Sequence, residues 1–178
     1  LDLGASMPAG SNALVASDGT EVTLADLRGE KGTLVVFTCN TCPWAKAWEE
    51  RIVALGNEYA SRGIGVVAIN SNDPGRVPAD SLDEMKTRSS ELGMSFPYAH
   101  DAGSAIARRF GAMVTPEAFL LDAGDALVYH GTIDDNAKSP DEVSKRYLAD
   151  ALEAVATGGA VPVADTKALG CGIKFAQK

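Results

Sequence analysis

Residues Leu34–Trp48 read LVVFTCNTCPWAKAW: a continuous apolar run, two cysteines with two residues between them, then a helical pattern. Leu34, Val35, Val36 and Phe37 suit a strand buried on both faces, as in a parallel sheet covered by helices. From Pro43 on, Trp44, Trp48, Ile52 and Leu55 recur at spacings of three and four, while Lys46, Glu49, Glu50 and Arg51 largely fall elsewhere, which predicts an amphipathic helix. Cys39 and Cys42 therefore occupy a strand-to-helix turn.

A helix N-terminus presents unpaired N–H groups and a partial positive charge, both of which favour thiolate over thiol. The thiolate is the nucleophile of disulfide exchange. At this spacing the second sulfur can attack a mixed disulfide formed by the first, so the pair can cycle between dithiol and intramolecular disulfide. The plainer readings are a structural disulfide or half of a zinc site, but the sequence holds no second Cys-x-x-Cys and no paired histidines to complete a zinc tetrahedron. Cys-x-x-Cys near a βαβ pattern is the sequence signal of redox chemistry. No cofactor and no metal is called for.

With 178 residues the chain is long enough to bury one sizeable core without staples, so residues 1–178 are expected to form a single domain, with an irregular lead-in over 1–11 and a C-terminal tail over 158–178. Three cysteines allow at most one internal bridge and leave one thiol over. The net charge of −8 comes from scattered acids, which argues against a nucleic-acid groove or an anionic membrane surface as partner. No apolar run approaches the roughly 20 residues that span a bilayer. The first residue is Leu1 rather than Met, as expected for a processed or trimmed chain, and both a cytoplasmic and a periplasmic or otherwise exported location fit three cysteines.

The rest of the chain reads in order. Asn12–Ala16 and Glu21–Leu24 flank Asp18-Gly19, a hairpin signal, and Leu24–Arg28 before Gly29 reads as one helical turn. Ile64–Asn70 is a second buried strand after a helix ending near Arg62-Gly63, which makes a βαβ unit. Ser81-Leu82-Asp83-Glu84 is a capping box opening a helix over Leu82–Leu92, with Gly93 as its stop. Phe96-Pro97-Tyr98 reads as extended and Ser104–Phe110 as a short helix. Val114–Leu121 and Leu127–His130 read as a hairpin at the sheet edge, and Ser139-Pro140-Asp141-Glu142 as a second capping box opening a helix to about Thr157.

The order of these elements resembles the thioredoxin fold: α/β, with a central mixed β-sheet flanked by helices and an N-terminal β-hairpin. More narrowly, the chain is similar to the peroxiredoxin-like, or redoxin, group of bacterial thioredoxin-family proteins. The resemblance is carried by CNTCPW (39–44), NSND (70–73) with DSLDEMK (80–86), FPYAHD (96–101), VTPEAFLLD (114–122), YHGTIDDN (129–136) and GCGIKF (170–175). It implies that Pro116 is a cis-proline beside the cysteine pair and that the Thr115 backbone is available to pair with a bound peptide. Two departures stand out. Peroxiredoxins proper carry a threonine three residues ahead of the peroxide-attacking cysteine, where this chain has Cys39 relative to Cys42 and Val36 relative to Cys39. The Trp-Cys-Gly-Pro-Cys signature of thioredoxin is also absent, since Asn40-Thr41 lie between the cysteines and Pro43 follows them.

By resemblance to thioredoxin, Cys39 attacks the substrate and Cys42 resolves, an order favoured here because the first cysteine of such turns is usually the more exposed. If Pro43 is the first helical residue, however, Cys42 is the N-cap and feels the helix terminus most directly. Cys171, between Gly170 and Gly172, is either a second resolving thiol or an unpaired tail cysteine. Trp44 and the Thr115-Pro116 pair are candidate substrate-binding residues, whereas Trp48 belongs to the core stripe. Glu117 is a candidate proton relay or, as the plainer reading, an exposed strand carboxylate. His100 and His130 share no ligand spacing and read as turn or edge residues, and Asp134-Asp135-Asn136 as a polar turn.

These residues predict a thiol–disulfide oxidoreductase acting through Cys39 and Cys42 on a protein or small-molecule disulfide or thiol, with an electron donor the sequence does not identify. The alternatives are a thiol-dependent peroxidase and a thioredoxin-like module holding copper(I) between the two thiolates.

Overall fold

The computed structural model describes residues 1–10 and 12–178; Ser11, the end of the expected lead-in, lies outside the described residues. The strands are β1 (Leu14–Ala16), β2 (Glu21–Val22), β3 (Gly32–Phe37), β4 (Ile64–Asn70), β5 (Tyr98–His100), β6 (Val114–Thr115), β7 (Glu117–Asp122), β8 (Leu127–Gly131) and β9 (Cys171–Gly172). The helices are α1 (Pro43–Ala60), α2 (Leu82–Leu92), α3 (Ala105–Phe110) and α4 (Tyr147–Thr157). Seven strands form one sheet in the order β2-β1-β5-β4-β3-β7-β8, and β6 pairs with β9 apart from it. The β3/β4 and β4/β5 pairs are parallel and the others antiparallel, so the sheet is mixed. This is the thioredoxin-like fold that the sequence implies, with its N-terminal hairpin turning at Gly19 (φ +88°).

All six residues of β3 are buried, and their alternation divides the core. Leu34 and Val36 pack with Trp48 and Ile52 of α1, Met85 of α2, and Leu148 and Leu152 of α4. Val35 and Phe37 face the other way, toward Ile106 and Phe110 of α3. Each such side chain contributes about 1.5–3 kcal/mol by leaving water, which fixes β3 centrally and hence the place where its chain emerges. Phe37 lies opposite Ile69 on one neighbour and Glu117 on the other, so the cysteine turn opens at the end of β3, between β4 and β7.

Three local expectations change. Leu24–Arg28 forms hydrogen-bonded turns rather than a helical turn: Asp26 N–H donates to Thr23 and Leu27 N–H to Leu24, with the Asp26 carboxylate tied to Thr23. At Ser81 half of the capping box forms. The Ser81 hydroxyl oxygen accepts from Glu84 N–H, while the Ser81 N–H is already taken by the Pro78 carbonyl, which removes the need for Glu84 to reach back. The segment opening at Ser139 makes one 3-10 turn (Pro140–Glu142), and α4 begins only at Tyr147. Asp135 accounts for the delay, because its carboxylate accepts from both the N–H and the hydroxyl of Ser144 and holds that backbone out of a helix.

No helix is long and apolar enough to cross a membrane among the described residues.

Candidate functional site

Helix α1 starts at Pro43, whose missing N–H costs nothing at that position, so Cys42 is the N-cap, with extended φ/ψ of −71°/126°. Cys39 and Cys42 are 5% and 4% exposed, which removes the expected exposure advantage of Cys39. The sulfur of Cys42 is bonded to that of Cys171, with Cα atoms 6.0 Å apart, and Cys39 is the free thiol. A Cys39–Cys42 bridge is thus not the one present. Both sulfurs of the turn touch Thr115: Cys39 Sγ lies 3.4 Å from its hydroxyl and Cys42 Sγ 3.3 Å from its carbonyl oxygen. The Thr115–Pro116 peptide bond is cis, as the resemblance implies.

The turn between the cysteines is held from below by a carboxylate that sequence reasoning passed over. Asp80, fully buried, accepts from Asn40 N–H (2.7 Å) and Asn70 Nδ2 (3.0 Å) at one oxygen, and from Thr41 Oγ1 (3.0 Å) and Asn72 Nδ2 (2.9 Å) at the other. Tyr98 joins this network by donating to Asn40 Oδ1 at 2.9 Å. Burial, with smaller contributions from the neighbouring Cys39 and Asp80, pushes the Tyr98 phenol up, keeping it a donor. The clue lay in Asn70-Ser71-Asn72, polar residues closing a buried strand, which need partners that a sheet does not supply.

The expected tail is an ordered strap across the site. His130 N–H donates to Ala164 and Thr166 N–H to His130, so the strap first runs along the edge of β8. It then crosses β6 as β9, with Cys171 opposite Thr115. Beyond the disulfide, Lys174 N–H donates to Asn72 Oδ1 and Asp73 N–H to the Lys174 carbonyl. The Thr115 backbone that the resemblance leaves free for a bound peptide is therefore occupied by this chain's own residues. Asn72 links the strap to Asp80, and through it to the cysteine turn.

Glu117 is not the exposed carboxylate of the plainer reading. It is buried, with Oε2 accepting from Met113 and Val114 N–H and Oε1 bonded to His130 Nε2 at 2.7 Å. Both oxygens are thus engaged in holding the segment that leads into β6. His130 Nδ1 pairs in turn with Asp165 on the strap, at 2.9 Å. Burial alone would raise Glu117, but the bonds from His130, Met113 and Val114 outweigh it and lower its pKa; the bond to Glu117 raises that of His130 against burial, with help from Asp165. These partners are 13 and 35 residues from His130, beyond any spacing motif. His100 ends β5, with a buried Nδ1 unpartnered among the described residues.

Trp44 is 37% exposed and stacks on buried Trp48, with ring centroids 6.0 Å apart. Together with Leu169 and Lys167 of the strap they line a groove of about 490 Å³ beside the turn. Its floor is the polar turn expected at 134–136. There Asp134 accepts from Trp48 Nε1, Arg51 and Asn136 N–H. Among the described residues, no three His, Cys, Asp or Glu side chains converge as a metal site, so the copper(I) reading gains no third ligand.

A family model described as Redoxin matches residues 2–147. An uncharacterized conserved protein from Geobacillus kaustophilus superposes with a TM-score of 0.92 at 35% identity, covering 99% of this chain and 94% of that one. A hypothetical protein from Sinorhizobium meliloti 1021 gives 0.91 at 33% identity, covering 100% and 97%. Among curated proteins, the thiol-disulfide oxidoreductase ResA of Halalkalibacterium halodurans is 25% identical over 111 residues, 62% of this chain. The chain spans 58% of the length of that relative.

Proposed function

The chain belongs to the Redoxin family, whose chemistry is thiol-based redox, and on that premise we propose that it is a thiol–disulfide oxidoreductase in which Cys42 is the sulfur that changes partners. We take residues 1–178 to act as one redoxin domain, with the tail part of its site. The observation that carries the reading is the bond from Cys42, at the N-cap of α1, to a cysteine presented on a strand beside Thr115-Pro116. A strand-borne cysteine bonded to a helix N-cap cysteine has the connectivity of a mixed disulfide between an enzyme and a thiol partner.

In the reductive direction the Cys42 thiolate attacks a substrate disulfide, and one substrate sulfur leaves as thiolate. Cys39 or Cys171 then attacks the Cys42 sulfur, expelling the second substrate thiolate and leaving a Cys39–Cys42 or Cys42–Cys171 bridge. The substrate gains two electrons and the enzyme loses them; an external thiol or dithiol donor resets the cycle, and the reverse direction oxidises dithiols. Assigning the attack to Cys42 rather than Cys39 follows from its N-cap position, where backbone N–H groups favour the anion. In this reading the exposed Trp44 faces the substrate, and the buried Thr115 and Pro116 do so only where the strap is displaced from β6.

The test is an equilibrium titration against glutathione with thiols trapped and mapped, on the wild type and on Cys39→Ser, Cys42→Ser and Cys171→Ser. Bridges that always include Cys42, with reduction of a protein disulfide lost in Cys42→Ser, support the assignment. A Cys39–Cys171 bridge, or activity surviving in Cys42→Ser, overturns it.

A further inference from the structure

The strap is anchored on both sides of the site independently of the disulfide. Thr166 is held by Tyr129 and by the N–H of Thr132, and Lys174 by Asn72 and Asp73. Between these anchors the chain lies against the edge of β6 in a register that allows little choice. A Cβ at Gly170 would sit 2.1 Å from the Thr115 carbonyl oxygen, 2.5 Å from its carbon and 3.1 Å from its nitrogen. All three are backbone atoms, fixed by the β6–β9 pairing and the neighbouring Pro116, so they cannot swing aside as a flexible side chain would. At Gly172 the same construction meets open space. A strand that brings a cysteine to Cys42 across Thr115 therefore requires glycine immediately before that cysteine and leaves room for a Cβ at the position after it.

We propose that β9 is an internal stand-in for a partner strand, and that the β6 edge accepts in its place an extended segment of another polypeptide carrying the dipeptide Gly-Cys. The proposal rests on the reading of Cys42 as the exchanging sulfur. The segment's thiolate attacks the Cys42 sulfur of the Cys42–Cys171 bond, a new Cys42–partner bond forms, and Cys171 leaves as thiolate with the electron pair of the broken bond. Residues 167–172 then lift from the edge that the incoming strand takes. Access to the site is thereby limited to strands that compete with the tail in its own register.

The experiment uses the full-length Cys39→Ser/Cys171→Ser chain, whose single thiol is Cys42, and peptides spanning the tail sequence TKALGCGIK, each activated as a mixed disulfide with a chromophoric nitrothiobenzoate. Attack by the Cys42 thiolate forms the Cys42–peptide disulfide and releases the coloured thiolate, which gives the rate. Peptides carrying Gly-Cys, Ala-Cys or Val-Cys are compared, each normalised to its own rate with free glutathione. The Gly-Cys peptide is expected to react about tenfold faster than the Ala-Cys peptide or better, the discrimination an unrelieved overpacking clash produces. Where the double variant does not fold, Cys39→Ser alone gives the readout, as Cys171 thiol released by the free peptide. Equal normalised rates overturn the register rule. Reaction with activated glutathione but with none of the peptides overturns the strand-docking proposal and leaves Cys42 as the exchanging sulfur. Failure to react with activated glutathione as well overturns the functional reading on which the proposal rests.

Discussion

Thr41, between the two turn cysteines, donates its hydroxyl to Asp80 Oδ2 at 3.0 Å, and the neighbouring Asn40 N–H donates to the other oxygen at 2.7 Å. Each carboxylate oxygen of Asp80 accepts two donors, so an amide there turns an NH2 group toward two of them whichever way it flips. Asp80→Asn is expected to lower the unfolding free energy by roughly 3 kcal/mol, the cost of buried donors left unpaired. Urea unfolding at neutral pH measures it. A loss below about 0.5 kcal/mol, within the range of an ordinary surface substitution, would show that the network does not hold the turn.

The oxidised native chain is expected to show no thiol reactive toward an aromatic disulfide reagent, and one after unfolding in guanidinium. The buried, unbonded Cys39 is that thiol. If the bridge were Cys39–Cys42, the half-buried Cys171 would react before unfolding. Counting released chromophore under the two conditions separates the pairings.

What was legible in the sequence were the elements set by local chemistry. The Leu34–Phe37 run, the Asp18-Gly19 turn, the helix stop at Gly93 and the proline after Thr115 each name their structure within a few residues. The start of α4 was not legible, because Asp135 competes for Ser144 from outside the window that a capping box occupies. Nor was the strap, where short-range pattern in GCGIKF is overridden by pairing with Thr115, 56 residues away by sequence numbers 115 and 171. The sequence singles out Cys39, Cys42, Cys171, Thr115 and Pro116, and the fold brings them together, yet which sulfurs are joined depends on where the tail runs. Asp80 was hidden in a loop rich in Gly, Pro, Asn and Asp, a composition that reads as solvated turn until its burial is known.

Arg51 fixes the groove floor through a forked set of bonds. Its guanidinium donates to Asp134, to the carbonyls of Asn136 and Ala137 at 2.6 Å each, and to Ala47 at 3.1 Å. A lysine keeps the charge opposite Asp134 but cannot serve the carbonyls as well, so Arg51→Lys is expected to cost about 1–2 kcal/mol. Trp48, which donates to the same Asp134, should report the change as a shift in fluorescence. Unchanged stability and emission in Arg51→Lys would show that the ion pair alone positions the 134–137 turn.

His130 ties the strap to the strand beneath it only as well as its protonation allows. The imidazolium donates from Nε2 to Glu117 and from Nδ1 to Asp165; a neutral ring donates to one and turns a lone pair toward the other. The folded-state pKa of His130 is raised above 6.5, so its contribution is complete below about 6.5 and is lost as pH rises through the raised value. That of Glu117 is lowered below 4.5, so its contribution is complete above about 4.5 and is lost as pH falls through the lowered value. Between these limits both groups carry their charges, and the pair stabilises most. His130→Gln, which retains a donor for one carboxylate, should therefore lose the most stability relative to wild type between about pH 4.5 and 6.5. The difference should shrink on either side of that window. Paired thermal unfolding of the two chains from pH 3.5 to 9 gives the curve directly, with the disulfide kept intact so that the strap stays tethered. A difference that is flat across this range would mean that the His130 bonds hold the strap by shape rather than by charge.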